Sequence, residues 1–151
     1  MPWAIRQQCL WIVRDYERNR RNWLRLRREI LDAGGDHSTT YTVNGEERRA
    51  IMPTAHAARR TTEDKQMQLE ALEHTQAFRQ MRAVEHAKAR VGADLPEMLQ
   101  DALRDAIMLN CQNGRRYPFE QLYIVGISRS EFYRRRDDFF RWIADELGLW
   151  W

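Results

Sequence analysis

Lysine is nearly missing from this chain: of its 25 basic residues only Lys65 and Lys88 are lysines, so almost all positive charge is guanidinium. Guanidinium grips phosphates and guanine edges bidentately, although a GC-rich genome produces the same bias and the excess carries little weight alone. Cysteine is scarce too. Cys9 and Cys111 stand far apart with no second pair and no CxxC, which excludes a disulfide framework and a cysteine zinc site and leaves two small core residues. No apolar run is long enough for a membrane span, and Met1–Val13 is interrupted by Arg6, Gln7 and Gln8, so nothing resembles a secretory segment; a cytoplasmic chain is expected. Phosphate-cradling glycine loops and nucleophile elbows are missing. His37, His56, His74 and His86 show no ligand spacing, and Asp137-Asp138 sits beside arginines, where helix ion pairs are expected. No catalytic residue, cofactor or metal is therefore expected, and no enzyme.

What is present is helical periodicity. Ile5, Cys9, Ile12, Tyr16, Asn19, Trp23, Leu26 and Ile30 follow an unbroken alternation of four- and three-residue steps up to Gly34-Gly35. This predicts one long helix with a seam for a partner helix, Asn19 being the polar seam residue. Its other faces carry eight arginines against four acids. Residues 34–60 break the pattern: Thr39–Val43 is β-prone, Asn44-Gly45 is a two-residue hairpin signal and Glu46–Met52 can return, so a small β-hairpin or a loop is expected, with 53–60 as connection.

Helical signals resume at Thr61 and continue to about Val91, with Met67, Ala71, His74, Phe78 and Met81 at heptad spacing; this second helix is expected to pair antiparallel with the first. A third helix over about Leu95–Asn110 presents Leu99, Leu103, Ala106, Ile107 and Asn110 on one face, and Asn113-Gly114 stops it. The expected fold is all-α: a helical hairpin over 1–92 with its insertion at 34–60, then a helical domain over 93–151. From Thr61 to Asn113 nine acids face six bases, which makes the middle the acidic part and no DNA face.

The end of the chain carries the functional signal. Pro118–Val125 reads as a short helix that Gly126 ends, and Ser128 with Glu131 reads as a capping box opening the next helix. The order is helix, turn, helix, and such a second helix fits a major groove. Phe132, Phe139, Ile143 and Leu147 share the buried face. Arg129, Ser130, Tyr133 and Arg134 are the expected base-reading set, and Arg115, Arg116, Arg135, Arg136 and Arg141 the expected phosphate contacts. Six arginines against two glutamates between Arg115 and Arg136 give a local charge of +4, suited to affinity from counterion release.

Gly126–Arg136, followed by Phe139–Gly148, resembles the RinA and ArpU group of phage transcription regulators, whose pattern is a serine-capped helix with Tyr-Arg and then an apolar helix ending Leu-Gly. The likeness covers about the last 35 residues; upstream only the helical layout agrees. It departs where most such motifs keep a small residue, since Leu122 with Tyr123 stands there. The resemblance implies a late-gene activator in the bacterial host cytoplasm, with a helix-turn-helix similar to the promoter-reading domain of sigma factors. It puts Arg129, Ser130, Tyr133 and Arg134 where such domains touch bases. The partners expected are double-stranded DNA and host RNA polymerase, for a monomer or homodimer with no membrane contact. Two alternatives are a small terminase subunit, which packages DNA as a ring, and a helical adaptor whose arginines bind acidic proteins. The end Leu149-Trp150-Trp151 is expected to fold back on the core or to meet a partner.

Overall fold

A computed structural model of the chain describes residues 1–33, 38–51 and 55–150, with side chains described for 1–33, 44–46 and 62–150. The chain is mostly helical. α1 (Trp3–Asp32) is followed by β1 (Ser38–Val43) and β2 (Glu46–Ile51), then α2 (Ala55–Glu73), α3 (Gln76–Arg90), α4 (Glu97–Gln112), the one-turn α5 (Phe119–Leu122) and α6 (Arg129–Leu147). Gly34-Gly35, Met52, Pro53 and Trp151 lie outside the described residues. No helix among the described residues is long and apolar enough to cross a membrane.

Two compact units are present: Met1–Arg20 with Gln76–Trp151, and Arg21–Thr75. The divisions between these units fall after Arg20 and after Thr75. The cause is that α3 packs along α6 and draws residues on both sides of position 92 into one unit.

In the first unit, α3 buries Met81, Ala83, Val84 and Ala87, and α6 buries Phe132, Phe139, Phe140, Ile143 and Ala144. The two alanines of α3 let a neighbouring helix approach closely and leave room for the three phenylalanines. Two pairs run across these helices in antiparallel order: His86 Nδ1 lies 2.8 Å from Glu146 Oε1, and the Arg90 guanidinium sits 4.4 Å from the Trp142 ring centre. α4 buries Leu103, Ala106, Ile107, Asn110 and Cys111, so its expected face is the one covered. Arg104 donates to the carbonyls of Val91 (3.0 Å) and Ala89 (2.7 Å), supplying partners that the C-terminal end of α3 lacks within the helix.

The start of α1 buries Cys9, Ile12, Val13 and Tyr16. Arg14 Nε donates to the Cys111 carbonyl at 2.9 Å and Arg6 pairs with Asp137 at 3.2 Å, which joins α1 to the C-terminal end of α4 and to α6. Burial pushes the Cys9 thiol up to about 11 and the Cys111 thiol up to about 12, so both stay protonated and act as small apolar residues.

In the second unit, β1 and β2 pair antiparallel from Ser38 opposite Ile51 to Val43 opposite Glu46. Asn44 (φ 54°) and Gly45 (φ 81°) take the two left-handed positions of the tight turn between them. α2 begins at Ala55, six residues before the expected Thr61, because the alanines of 55–60 are strong helix formers. The seam expected on α2 is corrected: Met67 is 68% exposed, Ala71 and His74 are exposed, and Leu69 and Leu72 are the half-buried pair. A break at His74-Thr75 explains this. The Thr75 hydroxyl donates to the Leu72 carbonyl at 2.7 Å, ending α2, so α3 starts a new register and one heptad does not run through both helices.

Candidate nucleic-acid interface

The expected short helix is one turn long. It ends at Leu122 because Tyr123 takes the left-handed conformation (φ 51°, ψ 42°), the role assigned from sequence to Gly126. Gly126 is itself left-handed (φ 85°) inside the connection to α6. Ser128 then caps α6, its Oγ accepting from the Glu131 backbone N–H at 3.2 Å. The reciprocal half of the capping box is replaced: the Glu131 carboxylate accepts from Arg135 at 2.9 Å and 3.1 Å. At the other end Gly148 (φ 64°) is the C-cap, and Leu149 N–H reaches the Ala144 carbonyl at 2.8 Å. Leu149 and Trp150 are half-buried beyond it.

The predicted base-reading residues divide into two kinds. Arg129 and Arg134 have side chains 66% and 64% exposed, and Ser130 is exposed with its hydroxyl 3.3 Å from that of Ser128. Tyr133 is half-buried and turned toward α5. Its hydroxyl accepts from the Phe119 backbone N–H at 3.4 Å, and its ring meets Phe132 edge-on at 5.2 Å. It therefore fixes α5 against α6, with Arg129 and Arg136 lying 5.3 Å and 4.8 Å from its ring centre.

The predicted phosphate contacts divide as well. Arg115 and Arg116 are exposed in the turn after α4, where Asn113 Oδ1 accepts from both of their backbone N–H groups. Arg141 is exposed and pairs with Asp138 at 3.3 Å. Arg135 and Arg136 are half-buried and committed to partners within the chain. Arg135 donates two parallel hydrogen bonds to Asp94, at 2.8 Å and 2.9 Å, besides its contacts with Glu131. Its hydrogen bonds hold the Asp94 carboxyl down at about 2, and the Asp94 carboxylate in turn raises the Arg135 guanidinium above its ordinary value. Arg136 Nη1 donates to the buried Asn110 Oδ1 at 2.8 Å, and Asn110 Nδ2 donates to the Tyr117 carbonyl at 2.8 Å. The Arg136 guanidinium also lies between the rings of Tyr133 and Phe140. One polar chain thus ties the 113–117 turn to α4 and α6, which positions Arg115 and Arg116.

Charge counted along the sequence and charge found in space differ here. Arg129 pairs with Glu120 at 2.8 Å, Arg134 with Glu131 at 3.8 Å and Asp138 at 3.7 Å, and Arg141 shares Asp138. Asp94 and Asp138 lie outside the window that gave +4. The one sequence signal for the internal network was Asn110, a polar residue on an otherwise apolar face, which requires a buried partner. Set against known protein families, curated proteins and solved structures, the chain matches none.

Proposed function

We propose that this chain is a sequence-specific duplex-DNA-binding regulator that reads the major groove with the N-terminal half of α6. The single observation that carries the reading is the pose of that helix: Ser130, Arg134 and Arg141 form one stripe opposite the buried Phe132, Phe139 and Ile143, with Arg129 exposed at the first turn. A capped helix with an arginine-bearing outer face and a short helix fixed across its start suits a helix-turn-helix. Arg129, Ser130 and Arg134 are the base readers in this proposal. Arg115, Arg116 and Arg141 contact phosphates, while Tyr133, Arg135 and Arg136 hold the frame.

The resemblance of Gly126–Gly148 to the RinA and ArpU group extends the proposal to activation of phage late genes, with host RNA polymerase as partner. The long helical hairpin belongs to the same proposal. One contact within each unit supports it: the Tyr16 hydroxyl reaches Glu85 at 3.3 Å, and Lys65 Nζ reaches the Leu31 carbonyl at 2.8 Å.

Selection from randomised duplexes with purified protein at physiological salt tests the reading. An enriched motif supports a regulator, and retention without a motif contradicts it. A second reading, an oligomeric DNA-packaging subunit, is favoured by Trp3 and Trp11, which are 75% and 60% exposed on α1 and suit a contact between copies. Light scattering separates the two, since a ring of many subunits fits only packaging.

A further inference from the structure

Arg18, Arg20, Arg21, Arg25, Arg27 and Arg28 crowd one stretch of the sequence, with no acid between Glu17 and Glu29. Of these, Arg21, Arg25, Arg27 and Arg28 belong to the Arg21–Thr75 unit, and all four are exposed on α1. Helical spacing puts Arg21, Arg25 and Arg28 in one row. The row lies opposite Trp23, Leu26 and Ile30, the half-buried positions of this part of α1, so the three guanidiniums point away from what the helix covers. Arg27 flanks the row, its guanidinium 5.8 Å from the Trp23 ring centre.

Among the described residues none of the four arginines has an ion pair; Arg25 donates only to the neutral Asn22 Oδ1 at 3.4 Å. Arg21, Leu24, Arg25 and Arg28 line a shallow groove that Glu29 and Asp32 close at its C-terminal end. At 1.5 Å per residue the row extends about 10 Å, the rise of about three nucleotides of one DNA strand.

We propose that the Arg21–Arg28 row of α1 is a second nucleic-acid contact, gripping the phosphate backbone of duplex DNA without reading bases. The inference rests on the reading of the chain as a DNA-binding protein, but on different residues. Its chemistry is charge complementarity: guanidiniums not paired to carboxylates release condensed counterions when they meet phosphates, whereas arginines already paired to carboxylates release fewer. The row raises affinity for every duplex alike and leaves the choice of site to α6.

The test is the salt dependence of binding by the full chain, measured on a selected duplex and on a scrambled one. Arg21→Gln, Arg25→Gln and Arg28→Gln are made together, with the corresponding three Arg→Lys changes as the charge-preserving control and the circular dichroism melt as the check of folding. The expected result is a slope of log affinity against log salt shallower by about three on both duplexes. The lysine variant should keep the wild-type slope, and any enriched motif should be unchanged. An unaltered slope in the glutamine variant overturns the proposal while leaving base reading by α6 intact. A changed slope with no enriched motif in any variant leaves the row standing and removes the sequence-specific reading instead. Tighter, row-dependent binding to an RNA hairpin of equal length than to duplex DNA also overturns the proposal as stated.

Discussion

α1 and α6 each carry a cluster of arginines, and the two clusters do different things. On α6, Arg135 and Arg136 face inward to Asp94, Glu131 and Asn110, and the exposed Arg129, Arg134 and Arg141 all have carboxylate neighbours. On α1, Arg21, Arg25 and Arg28 face outward with no ion pair among the described residues. Equal residue types thus give a fixed, shape-bearing surface on one helix and a bare electrostatic one on the other. Specific recognition needs the first kind, because base edges are read by side chains held in place; backbone attraction needs only the second.

The contrast is broken most severely at Arg136. Arg136→Ala removes the hydrogen bond to the buried Asn110 Oδ1 and the guanidinium between Tyr133 and Phe140, and should cost about 2 kcal/mol of stability in urea unfolding. Arg21→Ala should change stability by less than about 0.5 kcal/mol, the ordinary range for surface substitutions. Equal costs at the two sites would erase the difference between the two arginine clusters.

In binding, Arg134→Ala should cost about 1–3 kcal/mol on the selected site and relax preference at one base pair, whereas Arg141→Ala should weaken all duplexes alike. Competition titrations on matched and scrambled duplexes read both. A smaller effect of opposite sign is expected at Tyr123, a residue 81% exposed that holds a left-handed conformation. Tyr123→Gly should raise stability by about 1 kcal/mol, since glycine relieves the backbone cost while little contact is lost. A fall in melting temperature would show that the phenol contributes to packing.

The smallest expected effect concerns the Asp94–Arg135 pair. The folded-state carboxyl is held at about 2, below its ordinary 3.8, so whatever stability the pair contributes is present above about pH 4 and is lost as pH falls toward 2. Exposure of Asp94 keeps that contribution modest. Asp94→Asn should therefore flatten part of the wild-type decline in melting temperature between pH 4 and pH 2. An identical decline in both proteins would place the acid sensitivity in other carboxylates.

Periodicity made the helices legible. The buried positions at the start of α1, the covered face of α4 and the buried face of α6 follow from spacing, because a helix that covers a core repeats its apolar residues at its own period. Spacing is silent about the break at His74-Thr75, where a side-chain hydroxyl ends α2 and shifts the register, so Met67 lies exposed and not in a seam. The one-turn length of α5 was hidden likewise, since Tyr123 adopts a conformation that its identity disfavours.

At the candidate site, which arginines are exposed could not be read from charge runs. Asp94 reaches Arg135 across 41 positions and Asn110 reaches Arg136 across 26, and pairing at such separations is set by packing, not by local sequence. The α1 row is hidden for the converse reason: over the whole helix its arginines are offset by acids, while the stretch they share has no acid between Glu17 and Glu29.

The central claim is that the outer face of α6 reads bases. The most direct measurement is a randomised-duplex selection run in parallel with the wild-type chain and with Arg134→Ala. The account predicts an enriched motif for the wild-type and the same motif with one position degenerate for the variant. An identical motif from both proteins, or enrichment from neither, would contradict it.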